Sequence, residues 1–205
     1  MFALIAEGCM DTTKTACVLC KGPSVKYCGD FICETDDIVS INDSAKYWNS
    51  DGPIEYIFST HPNEFWNESL FKRANHIIMP EEEKHLLHES CLSKLITYKT
   101  RWCCGDYESL LKMIASGGIC HHHTLAGGLH WLCKFGGYSR LKIIGMDGGP
   151  NYATEADVNW RVVKLRLEKG DKFLDDWKTI TLTLIKLLEN IYGTTFELYN
   201  PSKNK

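Results

Sequence analysis

Three consecutive histidines, His121, His122 and His123, stand immediately before Thr124 in this chain of 205 residues. The stretch that follows, TLAGGLHWLCKFGGYSRLKIIGMD, reads as a loop, a helix opening on small residues, a glycine stop and a buried strand ending in Asp147. Helix amides at one end and a carboxylate at a strand's carboxyl end are how a parallel sheet holds a nucleotide-type ligand. An imidazole beside such a ligand, with an unperturbed pKa of ~6.5, suits proton abstraction at neutral pH.

Other strand ends carry residues of the same kind. Gly22, Pro23 and Ser24 follow one apolar run, Asn42-Asp43 a second and His61-Pro62 a third. Glycine lets backbone approach a ligand, and Ser and Asn supply directional hydrogen bonds. Gly22, Pro23, Ser24 and Asn42 are therefore candidate nucleotide contacts, and ordinary turn chemistry is the alternative. Thr124, the amides near Gly127 and Gly128, and Tyr152 are candidate donors to a phosphate. Gly127 and Gly128 equally suit close packing within a helix. Asp147 either takes ribose or sugar hydroxyls or caps the turn after it.

Metal chemistry finds less support. No CxxC pair is matched by a second at zinc-finger spacing. His85, His88 and Cys91 fall at i, i+3 and i+6 of a charged helical stretch, as ligands or as solvated residues. No Asp-x-Asp follows an apolar strand, and Glu34-Thr35-Asp36-Asp37 precedes a strand instead. The expectation is that no metal is required.

These residues need a frame. Strands are predicted over 15–21, 37–42, 54–60, 75–79 (stopped by Pro80), 140–145 and 195–199. Helices are predicted over 64–73, 81–90, 106–115 (capped by Asp106) and 175–192, with another capped by Thr124 and stopped at Gly136-Gly137. Residues 92–104 read as a strand or a lid segment. Such alternation predicts a single Rossmann-like α/β domain over residues 1–205, a mostly parallel sheet with helices on both faces. The carboxyl ends of its strands share one edge.

A net charge of -3 and a pI of about 6.2 give no bulk attraction to nucleic acid or anionic membrane. The basic run Arg161, Lys164, Arg166, Lys169 and Lys172 after Trp160 reads as a solvated helix face or as a groove for a polyanion. No apolar run reaches the about 20 residues that cross a bilayer, so no membrane span is expected. MFALIAEG is short for a signal core, and a cytoplasmic protein is expected. The ten cysteines read mostly as small buried hydrophobes in a reducing compartment, Cys17 and Cys20 on opposite sheet faces and Cys103-Cys104 the pair to be exposed.

The motif order resembles the CMP-sugar-dependent sialyltransferase-like glycosyltransferases and the related bacterial motility-accessory-type domains. VLCKGPSV matches their first strand and Gly-Pro-Ser turn. SIND supplies the strand-end Asn42, and STHP has His61 where they have Asn. Thr124, Gly137-Tyr138 and Gly145-Met146-Asp147 fall in register, with Leu125-Ala126 in place of Ser-Gly. LIKLLENIYGTTFELYNPS matches their closing helix, strand and turn.

The resemblance implies a GT-A-like fold variant and a metal-independent inverting transfer from a CMP-sugar donor, with no cofactor. The acceptor would be a hydroxyl on a glycan, or on a hydroxylated base in nucleic acid such as DNA. Two departures stand out. The family's base histidine has no counterpart in residues 153–174, and Tyr152 is available where the family has two tyrosines. The base then falls to His123 or His61, with Asp157 and Asp171 as fallbacks. A pterin pyrophosphokinase-like diphosphate transferase and a non-catalytic nucleotide-binding module are the alternatives.

Overall fold

The computed structural model describes residues 14–48, 51–62, 67–102, 105–120, 123–147, 168, 170 and 173–199. Among these residues nine strands run in chain order: β1 (Thr15–Leu19), β2 (Asp37–Ile41), β3 (Ile54–Phe58), β4 (Ala74–Pro80), β5 (Leu95–Tyr98), β6 (Thr100–Arg101), β7 (Ile119–Cys120), β8 (Arg140–Ile144) and β9 (Thr195–Leu198). Seven form one sheet in the order β5-β4-β3-β2-β1-β8-β9, and β6 and β7 pair separately. Every pairing is parallel. The α/β, Rossmann-like expectation is therefore met.

The central strands are apolar on both faces because both faces are covered. Side chains alternate as the pleat demands. Ala16, Val18, Val39, Ile41, Tyr56, Phe58, Leu141 and Ile143 join one core. Cys17, Leu19, Ile38, Ile57, Ile77, Met79 and Ile144 join the other. Cys20 lies on the first face and Cys17 on the second, as their three-residue spacing predicts.

The two faces have different covers. Helices α2 (Tyr107–Ala115), α3 (Thr124–Trp131) and α4 (Phe173–Tyr192) bury Leu110, Met113, Leu129, Leu184, Leu187 and Leu188 in the first core. Over the second lie the short helix α1 (Glu68–Arg73) and a series of 3₁₀ segments, of which Pro23–Asp30 brings Val25 and Cys28. Asp106 caps α2 by accepting from the Ser109 amide, as expected.

Three expectations are corrected. Residues 81–90 form no continuous helix. Two 3₁₀ segments, Glu81–Leu86 and Glu89–Lys94, are separated at Leu87 and His88, both extended. Pro80 ends β4 from within, as its last residue. The residue capping α3 is His123, not Thr124, which is the first helical residue. Helix α3 runs on through a π turn, Leu132–Gly136, and stops at Gly137 with φ of 69°, the left-handed conformation that glycine adopts without penalty.

His130 sits on α3 with no solvent exposure. Its Nδ1 accepts from the Cys120 amide at 3.3 Å, and its Nε2 lies 3.4 Å from the Tyr192 hydroxyl. Burial, aided by the Lys134 charge, pulls its pKa down to about 3. The folded state thus binds fewer protons than the unfolded chain between that value and ~6.5. Stability is complete above the unfolded pKa and is lost as pH falls toward the folded one. Urea unfolding at pH 7 and pH 4 is expected to differ by several kcal/mol, about 3 or more. His130→Gln should remove most of that acid-side slope.

Candidate functional site

In the strand order, successive strands run outward from β1 in one direction to β5, while β8 and β9 lie on its other side. The β1–β8 seam is therefore the topological switch point, where open parallel sheets bind ligands outside their carboxyl ends. The two strand ends are stitched there. The Cys20 and Gly22 amides each donate to β8-side carbonyls, Ile144 O and Gly145 O, at 2.8 Å. The Ser24 amide donates to Asp147 Oδ2 at 2.8 Å, and the Gly145 amide donates to Ser24 Oγ at 3.0 Å. A Cβ on Gly22 would lie 2.4 Å from Asp147 Oδ2 and 2.5 Å from Gly145 O, so only glycine fits. Asp147 thus holds the Gly22-Pro23-Ser24 turn, and its carbonyl accepts from Lys178 of α4 at 2.6 Å. Cys20, beside it, has its thiol pKa pushed up by burial first and then by the Asp147 charge.

One strand over, Asn42 follows β2 in the left-handed region with φ of 56°. Serines fix this turn: Ser40 Oγ donates to Asn42 O at 2.8 Å and accepts from the Ala45 amide at 2.9 Å. The Asn42 amide reaches Phe58 O at 2.7 Å. Its side-chain oxygen is buried without a hydrogen-bond partner, and so is Ser59 Oγ. Ile41 and Phe58 are register partners, which makes Asn42 and Ser59 neighbours across the β2–β3 seam. Orphaned buried polar atoms cost about 1–3 kcal/mol each and need an explanation.

The next strand end meets α3. Thr60 Oγ1 and Thr124 Oγ1 share a hydrogen bond of 2.8 Å. His123 accepts the Ala126 amide at Nδ1 (3.3 Å), which puts the proton on Nε2, 2.9 Å from Thr181 Oγ1. Thr181 in turn donates to Trp177 O at 2.8 Å, and the His123 and Trp177 rings stack with centroids 5.5 Å apart. One His123 nitrogen thus caps α3 and the other ties it to α4. His61 follows Thr60 directly and is half-buried at the same edge.

The structure therefore brings Gly22, Pro23, Ser24, Asn42, His61, His123, Thr124 and Asp147 to one rim. Gly127 and Gly128 lie deeper. A Cβ on Gly127 would sit 2.9 Å from Cys120 O, and one on Gly128 3.2 Å from both Ile41 and Phe58. The Gly127 amide donates to His123 O at 3.1 Å. These close approaches account for glycine at both positions. His85 and His88 are exposed while Cys91 is buried, and among the described residues no three His, Cys, Asp or Glu side chains form a metal-binding group. Tyr152, Asp157, Asp171, His121, His122, Cys103, Cys104 and the basic residues Arg161, Lys164, Arg166, Lys169 and Lys172 lie outside the described residues.

Sequence reasoning missed Lys21, Ser59, Thr60 and Thr181. Lys21 left a signal, a lone cation closing an apolar strand before Gly-Pro. Ser59 and Thr60 gave only the polar end of β3, and Thr181 is indistinguishable from a surface helix threonine until α3 and α4 are packed.

No protein-family model matches the chain, and no curated protein matches it. Among solved structures, a variant of the sialyltransferase CST-II in complex with CMP is similar, with a TM-score of 0.53 at 15% identity, over 92% of this chain and 82% of that one. At that identity the likeness is one of fold. No helix among the described residues is long and apolar enough to cross a membrane.

Because His123 acts as a cap and as a link to Thr181, His123→Ala should cost about 1–2 kcal/mol of stability. Urea unfolding checks this. An unchanged unfolding midpoint would sink the structural role assigned to its two nitrogens.

Proposed function

We propose that this protein transfers a sugar from a CMP-activated donor to a hydroxyl acceptor, with inversion and without a metal. The observation that carries the reading is Asn42: a non-glycine residue with φ of 56° whose buried amide oxygen lacks a partner, at a strand end beside the switch point. Strain and an unmet hydrogen bond at one residue are kept where a ligand supplies the missing partner. The fold likeness to a CMP-bound sialyltransferase supports the choice of nucleotide.

In the proposed reaction the acceptor oxygen attacks the anomeric carbon from the face opposite the nucleotide. The carbon–oxygen bond to the phosphate breaks, and its electron pair stays on the phosphate. The acceptor proton passes to a base. Thr124, at the α3 N-terminus, is proposed to donate to that phosphate, together with Tyr152. Gly22, Pro23 and Ser24 shape the floor under the nucleotide. Asp147 is proposed to accept from ribose or sugar hydroxyls with the carboxylate oxygen not given to Ser24. His61 and His123 are the candidate bases, and His123 would have to surrender a cap or an interhelical bond to accept a proton. Asp157 is the fallback. The acceptor is a glycan hydroxyl or a hydroxylated base in DNA.

The engagement of both His123 nitrogens also favours a second reading, a nucleotide-binding module without turnover. His61→Ala separates the two. If His61 is the base, sugar transfer from a CMP-sugar falls at least about 100-fold while CMP affinity stays within about twofold. CMP binding with no turnover from any CMP-sugar, in wild type and variant alike, establishes the module instead.

Asn42→Gly tests the carrying observation. Glycine accepts the left-handed backbone and removes the orphaned oxygen. Stability by urea unfolding should hold or rise, by up to about 1 kcal/mol, while CMP affinity by calorimetry drops about tenfold. Unchanged CMP affinity, or a wild type that binds no cytidine nucleotide, would overturn the proposal.

A further inference from the structure

Lys21 lies two residues past the end of β1, at the switch point. The main chain on either side of it stays in the ladder, since the Cys20 and Gly22 amides both bond to the β8 side. Its side chain is 9% exposed and pairs with Asp43, 12% exposed, at the carboxyl end of β2. The same carboxylate takes Lys46 at 3.0 Å. Two ammonium groups therefore meet at one acid, one residue from the orphaned oxygen of Asn42. An ion pair drawn this far out of water is a weak source of stability, because desolvation offsets its Coulomb gain. It is a good source of preorganised charge: Asp43 and a laddered main chain fix the ammonium before any ligand arrives.

From this we infer that Lys21 is a binding residue for the phosphate of the nucleotide. The inference rests on the CMP-sugar reading and adds a residue to it. Cleavage of the sugar–phosphate bond turns a phosphodiester monoanion into a monoester that becomes a dianion near neutral pH. A fixed ammonium at the rim meets that growing charge, the service a divalent cation renders elsewhere. Lys21 stands just past the carboxyl end of β1, at the rim, whereas the cations Arg140 and Lys142 lie within β8.

Calorimetric titration with CMP and with uncharged cytidine tests it. Lys21→Met leaves Asp43 its bond to Lys46. In wild type CMP should bind more tightly than cytidine. In Lys21→Met the CMP affinity should fall about tenfold or more, with cytidine affinity within about twofold. Lys21→Arg should retain most of the preference for CMP. Should Lys21→Met fail to fold, Lys21→Met with Asp43→Asn removes the pair as a neutral unit and carries the same expectations. A variant lacking Lys21 that keeps the wild-type ratio of CMP to cytidine affinity overturns this inference and leaves the CMP reading standing. Wild type that binds neither ligand overturns the CMP reading itself.

Discussion

The β1–β8 seam is the constraint on which the rest of the molecule depends. Strands β1 and β8 are far apart in sequence and must be laid side by side by the fold. Their register, Leu19 against Ile144, continues past the strand ends through Gly22, Ser24, Gly145 and Asp147. Each partner in that stitch is matched to the others. Gly145 has φ of 84°, and a Cβ there would lie 2.4 Å from Cys20 O. A side chain at either glycine would part the two strand ends. The floor of the rim is thus set by main-chain closeness, and side chains can only decorate it.

From that floor outward the rim is built by pairs that reach between elements. Thr60 meets Thr124, His123 meets Thr181, Lys178 meets Asp147 and Lys21 meets Asp43. These contacts tie the ends of β1, β2, β3 and β8 to the first turn of α3 and the N-terminal half of α4. The exception among the described residues lies at Asn42, Asp43 and Ser59, whose side chains each bury an oxygen without a hydrogen bond, that of Asp43 meeting Lys21 as an ion pair alone. Buried oxygens left unmet at the ends of β2 and β3 leave room for a hydrogen-bonding guest.

The fold was legible in sequence because its signals are local. Apolar runs bounded by turn residues gave the strands, and the period of Ile180, Leu184, Leu187, Leu188 and Ile191 gave α4. The strand-end residues were legible too, since Gly-Pro-Ser, Asn-Asp and Gly-x-Asp are short motifs. Their mutual geometry was not. That Asp147 serves the Ser24 amide, or that His123 reaches Thr181, depends on residues more than 50 positions apart. Residues 81–90 misled for a different reason. Glu and Lys favour helix, but Pro80 emerging from β4 and the need to return the chain to β5 leave room only for short 3₁₀ turns. The two glycines of α3 were ambiguous in sequence because a close approach to backbone and an open amide call for the same residue type.

The unequal covering of the two sheet faces carries a dynamic consequence. One face lies under α2, α3 and α4, each held by repeating main-chain bonds. The other lies under α1 and 3₁₀ turns, whose hydrogen bonds are fewer and of poorer geometry. Amide exchange should therefore divide the molecule, with Val25, Ala45 and Cys91 opening in smaller, cheaper units than Leu129 or Leu184. Asn42 and Lys21 border the looser side, while Thr124 belongs to the tighter one. A molecule entering the rim would meet one wall that yields and one that holds, so the order in which its parts dock would follow from the architecture alone.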